Sequence, residues 1–253
     1  MAALFSAGIG AMPAVVDGGV AYRKQIEDWR AHRVERLRSP NGWLTLVGLD
    51  WLKEGANKIG SAKDNTVVIA KAPAHLGTIT LDRGKATLSL EPRADAKIDG
   101  EEKARVELLD DSHEQPTTVS FSSVSFFLVQ RGDKFGLRIK DSEAPTRVHF
   151  LGIDNFAIDP SWRIEAKWEA YNPPHEVEEA NILGQVEKTV VPGAAVFERD
   201  GKTWRLEPSI ETPGDTNLFL VFADRTSGKE TYGAARFLYT DAPKDGKVIL
   251  DFN

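Results

Sequence analysis

The sequence predicts an all-β protein that carries one amphipathic helix near its N-terminus. Helical periodicity is confined to residues 21–38, whereas most of the remaining chain divides into short segments in which apolar and polar residues alternate. Glycine-containing turns separate these segments, as is typical of antiparallel sandwiches and barrels. A chain of 253 residues can form one large β domain or two smaller ones. We therefore expect a β-sandwich followed by a second antiparallel β unit.

The first residues, 1–20, are predicted to be disordered or to be the remnant of an export signal. The stretch "MAALFSAGIGAMPAVV" is apolar and rich in small residues, like the end of a secretory signal, but its start lacks basic residues. We expect a periplasmic or secreted protein, with a cytoplasmic location as the alternative. No apolar run in the sequence reaches the length of a membrane span, about 20 residues.

The next segment, residues 21–41, is assigned to the N-terminal helix, which Pro40 ends. The apolar residues that fall close to one face are Ile26, Trp29, Val34 and Leu37. Basic residues outnumber acidic ones here, so the helix could contact anionic lipid or lie across a sheet. The acidic residues interleave with the basic ones and the apolar face is narrow, which favours the second interpretation.

Four later segments are predicted to form β-hairpins, and residues 246–252 a final strand. In each hairpin two alternating runs flank a glycine turn, and Asp200-Gly201 is the strongest of these turn signals. The hairpin segments are 77–90, 124–141, 194–208 and 218–239.

A domain boundary is expected between residues 141 and 161, where proline, glycine and acidic residues occur without clean alternation. We therefore assign residues 42–141 to the sandwich and residues 145–253 to the second β domain.

The stretch "EGANKIGSAKDNTVVI", residues 54–69, has two glycines spaced as in a phosphate loop. That loop needs lysine and then serine or threonine after its second glycine, followed by a helix. Here Ser61-Ala62 and a β-rich run follow instead. The stretch is therefore predicted to be a turn between strands.

The same region, about residues 50–140, resembles a forkhead-associated (FHA-like) domain, a β-sandwich that binds phosphothreonine peptides through its loops. The matching residues are Asn57, Ile59, Gly60, Asp64, Asn65, His75, Asp99 and Gly100. Three residues depart from that family's pattern: Ser61, Pro73 and Asp99 stand where an arginine, a serine and an asparagine are expected. A phosphate group needs donors, preferably a bidentate arginine. The resemblance therefore implies the scaffold without phosphopeptide binding.

Longer motifs resemble a mostly bacterial family of domains of unknown function, number 1684, many of whose members have export signals. The matching stretches include "GWLTLVGLDWLKEGANKIGS", "LRIKD", "FLGIDNFAIDPSWRIEA", "FADRTSGKETYGAARFLY" and "DGKVILDFN". The resemblance runs from about residue 22 to Asn253 and implies a shared fold but no established reaction. Family members usually continue beyond "LDFN", so whether the natural chain extends past Asn253 stays open.

The densest polar cluster is "DRTSGKETYGAAR", residues 224–236. If a strand covers residues 231–239, Tyr232 and Arg236 share one face, and an arginine in so apolar a strand needs an anionic partner. Asp224 and Asp251 are the natural candidates. A functional interpretation makes Arg236 an anion ligand, Tyr232 a donor and Asp224 a base; a structural one makes Arg236 part of a buried ion pair.

The catalytic candidates are therefore Asp224, Tyr232, Arg236 and Asp251. The ligand-binding candidates are Arg138, Asp141, Arg163, Thr226 and Arg236.

Other function classes are disfavoured by composition and spacing. The net charge is −6, which argues against a basic nucleic-acid footprint. The chain has no cysteine, and its five histidines lack the spacing of zinc ligands, so no metal site is predicted. The G-x-S-x-G motif of hydrolases is absent as well. The sequence leaves open whether the protein uses a cofactor, and which one.

Two hypotheses on function follow. The first is a bacterial cell-envelope β-sandwich protein that binds a small molecule or a peptide through its loops. The alternative is a hydrolase with a polar site at Asp224, Tyr232, Arg236 and Asp251. Whether the protein is an enzyme, and its oligomeric state, stay open at this point.

Overall fold

The computed structural model describes residues 19–180, 186–211 and 214–253. Residues 1–18, which hold most of the predicted export-signal remnant, lie outside the described residues. The predicted all-β class is confirmed, because strands dominate the described chain and one long helix occupies its N-terminal end.

The described residues form the α-helices α1 (Gly19–Arg38) and the short α2 (Pro145–Val148). The strands are β1 (Leu46–Trp51), β2 (Gly55–Gly60), β3 (Val67–Val68), β4 (Gly77–Asp82), β5 (Lys85–Leu90), β6 (Lys97–Ile98), β7 (Arg105–Leu108), β8 (Thr118–Phe121), β9 (Val124–Arg131), β10 (Lys134–Asp141), β11 (Arg163–Ala180), β12 (Val186–Arg199), β13 (Lys202–Leu206), β14 (Leu218–Phe222), β15 (Arg236–Thr240) and β16 (Lys247–Asp251).

The chain divides into two compact units. One comprises residues 29–154, here called the sandwich unit, and the other comprises residues 155–253 with the helical residues 19–28, here called the C-terminal unit. The predicted domain limits at residues 141 and 145 stay a prediction.

The sandwich unit contains two five-stranded sheets around one core. Their strand orders are β1-β10-β9-β8-β6 and β3-β2-β4-β5-β7, and the pairs are antiparallel except β2 with β3. Ile59 and Leu88 of the second sheet share a fully buried cluster with Phe126 and Leu137 of the first. Because strand residues alternate between faces, each sheet can give one apolar face to this core.

The C-terminal unit contains a four-stranded sheet, ordered β13-β12-β11-β16, and a separate two-stranded ribbon of β14 and β15. Leu220 of the ribbon is buried in one cluster with Ala166, Val248 and Leu250 of the sheet. This core is smaller than that of the sandwich unit, and partly buried aromatic residues border it.

Helix α1 buries Tyr22 and Ile26, whereas Trp29, Val34 and Leu37 are only partly buried. The predicted apolar face therefore included Ile26 but omitted Tyr22, whose hydroxyl has a polar role in the C-terminal unit.

Candidate ligand-binding site

The segment between β14 and β15 forms a compact loop that folds back on itself. The carbonyl oxygen of Thr226 accepts hydrogen bonds from the backbone amides of Lys229, Glu230 and Thr231. The hydroxyl groups of Thr226 and Thr231 lie 3.0 Å apart, so they share a hydrogen bond. The loop therefore holds Asp224 and Arg236, at its two ends, in fixed positions.

The Asp224 carboxylate has several donors. It accepts hydrogen bonds from the Thr226 amide at 2.8 Å, from the Thr226 hydroxyl, and from Arg236 Nη1 at 2.7 Å. Burial alone would raise the pKa of Asp224, but the hydrogen bonds from Thr226 and Arg236 outweigh it, and the pKa lies below its ordinary value. Asp224 is therefore an ionised group held as a counter-ion.

The Arg236 guanidinium lies against an aromatic ring and faces solvent in part. It is centred 5.5 Å from the Phe222 ring, and its side chain is 25% exposed. Among the described residues, its hydrogen bonding is confined to the Asp224 carboxylate, which Nη1 contacts. An arginine has five N–H donors in a planar fork, so most donors of Arg236 are not used by the protein.

Asp251 lies in a second polar network at the end of β16. Tyr22 donates its hydroxyl to both carboxylate oxygens at 2.8 and 2.9 Å, and Asn253 donates its backbone and side-chain amides at 3.1 Å. Asn253 Nδ2 also donates to the Tyr22 hydroxyl, and the Asp159 amide donates to Asn253 Oδ1. The network therefore ties helix α1 to the last residues of the chain.

Tyr22 is a proton donor in this network. Burial first, and then the hydrogen bond to the Asp251 carboxylate, raises the pKa of Tyr22 above its ordinary value. Arg163, opposite Asp251 in the register of β11 and β16, brings Nε to 3.9 Å from Asp251 Oδ2. Asp251 is therefore surrounded by donors, as Asp224 is.

Aromatic rings lie between these two networks. Phe252, next to Asp251 in the chain, packs edge-on against Phe222 with ring centroids 5.5 Å apart. It also contacts Trp162 at 6.1 Å, and the Arg199 guanidinium lies 3.6 Å from the Trp162 centroid. Arg236 and Arg199 thus each cover a ring of one aromatic cluster, an arrangement that cation–π attraction favours.

Tyr232 does not share a strand with Arg236, because β15 begins only at Arg236. The conditional strand over residues 231–239 is therefore wrong for its first half, where the chain is still in the loop. Tyr232 is 63% exposed, and its ring packs 6.4 Å from Phe237, which alternation places on the other side of β15 from Arg236.

The outer side of the ribbon presents an aromatic face. The Phe219 ring stacks 5.8 Å from Phe237 and 4.7 Å from Tyr239, and Phe237 is 54% exposed. Tyr239 is held by a hydrogen bond from its hydroxyl to Glu211. This face contrasts with the inner side of the ribbon, where Leu220 and Leu238 join the core.

Two predicted ligand residues, Arg138 and Asp141, lie on β10 in the sandwich unit. Asp141 is buried and contacts Lys71 Nζ at 2.8 Å, and its Oδ1 accepts the Glu143 amide at 2.9 Å. Burial would raise the pKa of Asp141, yet the hydrogen bonds from Lys71 and Glu143 set it below its ordinary value. Arg138, three residues earlier, has no such partner among the described residues.

The structure thus brings together Asp224, Thr226 and Arg236, and separately Arg163 and Asp251. The second group also includes Tyr22, Asp159 and Asn253, which were not among the predicted site residues. Tyr22 and Asp251 are far apart in the chain and belong to different secondary-structure types. No local pattern could have paired them.

The residues that resemble an FHA-like domain brace backbone turns. Asn57 is fully buried, accepts the Lys53 amide at 2.9 Å and donates to the carbonyls of Lys53 and Gly55. Asn65 donates to the carbonyls of Ala62 and Ala74, both at 2.8 Å. The stretch that looked like a phosphate loop is therefore a strand and turn.

The Asp99 side chain likewise stabilises a backbone turn, the one that follows β6. Its φ of +52° is the left-handed conformation that asparagine, aspartate and glycine adopt most readily, and Gly100 follows with φ of +81°. The Asp99 carboxylate accepts the Thr118 amide at 2.8 Å.

Within the described ranges, no group of three or more histidine and acidic side chains could hold a metal ion. Nor is any helix there both long and apolar enough to cross a membrane.

The C-terminal part of the chain matches a known family. Residues 148–253 match the family described as "Protein of unknown function (DUF1684)". The match confirms the predicted resemblance over these residues, whereas the resemblance of residues 22–147 stays a prediction. No curated protein matches the chain.

Among solved structures, the chain is similar to an uncharacterized protein of Haloarcula marismortui, solved by solution NMR. The two are 26% identical over 43% of this chain and 61% of that chain, with a TM-score of 0.36. The match thus spans less than two thirds of the Haloarcula protein. At that TM-score the two structures are too different for fold or function to be inferred from one to the other.

Proposed function

We propose that the protein is a non-enzymatic binding protein of the bacterial cell envelope, whose C-terminal unit binds the anionic group of a small molecule or peptide at Arg236. The observation that supports the proposal is the set of contacts that the Arg236 guanidinium makes. The guanidinium is fixed by one hydrogen bond to Asp224, lies against Phe222 and keeps its other donors unused by the described protein.

The geometry suits recognition because Arg236 is oriented before a ligand arrives. A guanidinium held by a counter-ion and a ring loses less side-chain freedom on binding than a mobile one. Its planar fork matches carboxylate and phosphate oxygens. In this proposal Thr226 orients Asp224, and Arg163 with Asp251 supports the neighbouring aromatic cluster.

The alternative, a hydrolase at Asp224, Tyr232, Arg236 and Asp251, has less support. A general base needs a pKa near the working pH. The hydrogen bonds that Asp224 accepts from Thr226 and Arg236 lower its pKa below the ordinary value instead of raising it toward that range. We expect no ester or phosphoester hydrolysis above the rate in buffer. A rate that falls at least about tenfold in Asp224→Asn would establish the hydrolase instead.

Titration of the protein with sodium acetate and with sodium phosphate, followed by NMR, tests anion binding at Arg236. We expect saturable shifts of the backbone amide signal of residue 236, and an affinity at least about tenfold weaker in Arg236→Gln, as for loss of a charge-assisted hydrogen bond.

The matched control is Arg205→Gln in the same unit. Arg205 already donates to Glu169, Tyr171 and Glu207, so this change should leave the affinity unaltered. Equal affinities in Arg236→Gln and the wild type, with both proteins folded, would refute the proposal.

We further propose that the sandwich unit is an FHA-like scaffold that has lost phosphopeptide recognition. The departures at Ser61, Pro73 and Asp99 support this, because Ser61 offers one neutral donor and Asp99 adds negative charge where phosphate would bind. We expect no binding in a screen of phosphothreonine peptides. Saturable binding that requires the phosphate group would contradict the loss of recognition.

The envelope location rests on the small, apolar residues at the start of the sequence. Fractionation of cells that express the full natural gene tests it. Recovery with periplasmic or secreted markers is expected, and recovery with cytoplasmic markers would favour the alternative location.

A further inference from the structure

A second arginine, Arg138, occupies an unusual place in the sandwich unit. It lies on β10 between Leu137 and Ile139, which both point into the core. Alternation therefore directs Arg138 to the opposite face of the sheet. The register of the sheet places it beside Leu49 of β1 and Phe127 of β9. The side chain is thus set among apolar neighbours and is only partly exposed.

No acidic partner neutralises Arg138 within the described residues. Asp111, whose charge raises the pKa of Arg138, already binds Arg131 through two hydrogen bonds at 3.0 and 2.7 Å. Lys140, two residues along the same face of β10, donates to the Asn41 carbonyl and lies 5.3 Å from the Phe127 centroid. Arg138 is therefore flanked by cations.

The ionisation behaviour agrees with this geometry. Burial lowers the pKa of Arg138, and the charge of Arg131 lowers it further while Asp111 raises it. Burial also lowers the pKa of Lys140, with a contribution from Arg138. Partial burial of the Arg138 charge, which has no bonded carboxylate among the described residues, is costly, and a bound anion would remove that cost.

We propose that Arg138 and Lys140, on the outer face of β10, form a binding site for a small oxyanion, either a carboxylate or a phosphate group. The Arg138 fork supplies paired donors, Lys140 adds positive charge, and Phe127 with Leu49 supplies apolar contact for the atoms that carry the anion. This site is in the sandwich unit and does not depend on the function proposed for Arg236.

The test is a titration of the full chain in chloride buffer with sodium phosphate and with sodium acetate, followed through the backbone amide signal of residue 138, which every variant retains. We expect saturation in wild type and a dissociation constant at least about tenfold higher in Arg138→Gln. Arg138→Lys keeps the charge but loses the fork, so an intermediate affinity is expected. Tighter binding of phosphate would assign the site to phosphate-bearing ligands, and tighter binding of acetate to carboxylates.

Two controls separate this site from other effects. Arg105→Gln removes an exposed arginine from β7 and should leave the Arg138 titration unchanged. Arg236→Gln should also leave it unchanged, whatever its effect in its own unit. The proposal is overturned if Arg138 does not respond to either anion, or if Arg138→Gln and Arg105→Gln alter the titration equally.

A stability measurement gives an independent readout. In buffer without oxyanions, Arg138→Met should unfold at the same or a higher temperature than wild type, because it removes charge that has no partner. Added phosphate or acetate, whichever binds more tightly, should raise the unfolding temperature of wild type but not of this variant. An equal rise in both proteins would refute the site.

Discussion

In the sandwich unit, Asn57 and Asn65 bond to the backbone, whereas in the C-terminal unit Asp224 and Asp251 also bond to the side chains of distant or neighbouring residues. Asn57 and Asn65 brace turns beside a large, fully buried core. Asp224 and Asp251 instead bind arginine, threonine and tyrosine side chains beside a small core. The sandwich owes its stability mainly to burial, and the C-terminal unit relies more on polar networks and aromatic contacts at its surface.

The largest expected effect on stability comes from removing a phenylalanine ring, so the same substitution in each unit tests this difference most strongly. Phe126→Ala should lower the free energy of unfolding by about 4 kcal/mol, because Phe126 is fully buried and its loss leaves a cavity. Phe237→Ala, at a ring 54% exposed, should cost less than about 1 kcal/mol. Urea denaturation measures both, and equal losses would show that the two units do not differ in this way.

Removing the Asn57 side chain, which bonds to the backbone of a turn, should have the next largest effect on stability. Asn57→Ala leaves the Lys53 amide and two carbonyl groups without their buried partner, so we expect a loss of about 2–3 kcal/mol. Asn41→Ala, at an exposed position, is the control and should be close to neutral. If Asn57→Ala leaves the free energy of unfolding unchanged, water must replace the lost hydrogen-bond partners.

The Tyr22–Asp251 network predicts a smaller effect that depends on pH. Tyr22→Phe should cost about 1.5 kcal/mol at neutral pH, because it removes a hydrogen bond to a carboxylate. Folding raises the pKa of Tyr22, so the native state keeps its proton more firmly than the unfolded state. Stability from this group is therefore fully present below about pH 10 and is lost as the pH rises further.

Denaturation at a series of pH values tests this, with Tyr232→Phe as the control at an exposed ring. Wild type should lose stability above about pH 10 more steeply than Tyr22→Phe. Parallel pH profiles for the two proteins would contradict the assigned network.

The smallest expected effect concerns Asp224, whose partner Arg236 is also partly exposed. Asp224→Asn should lower stability by a few tenths of a kcal/mol at neutral pH, since solvent screens the pair. The lowered pKa means that this contribution is present above about pH 3.9 and is lost as the pH falls further.

Acid denaturation of Asp224→Asn beside Asp133→Asn, which changes an exposed hairpin turn, checks the assignment. A larger acid effect at Asp133 than at Asp224 would show that the loop does not hold its carboxylate as described.

Local patterns predicted much of this architecture. The glycine turns and two-residue alternation gave the hairpins of β4 with β5 and of β9 with β10, because both signals depend on neighbours in the chain. They failed at residues 232–235, Tyr-Gly-Ala-Ala, which lie in the loop before β15. Glycine and alanine have low β propensity, so the local sequence there does not favour a strand.

The sequence by itself determined the all-β class and the early helix, because both depend on periodicity, and it left Asp224 and Asp251 as candidate partners of Arg236, of which the structure pairs Asp224. Only the tertiary structure decided that Tyr22 meets Asp251 and that Arg138 lies beside apolar residues and bonds to no carboxylate in the described part of the chain. Strand register and burial fix these relationships, and both arise from chain segments far apart in sequence.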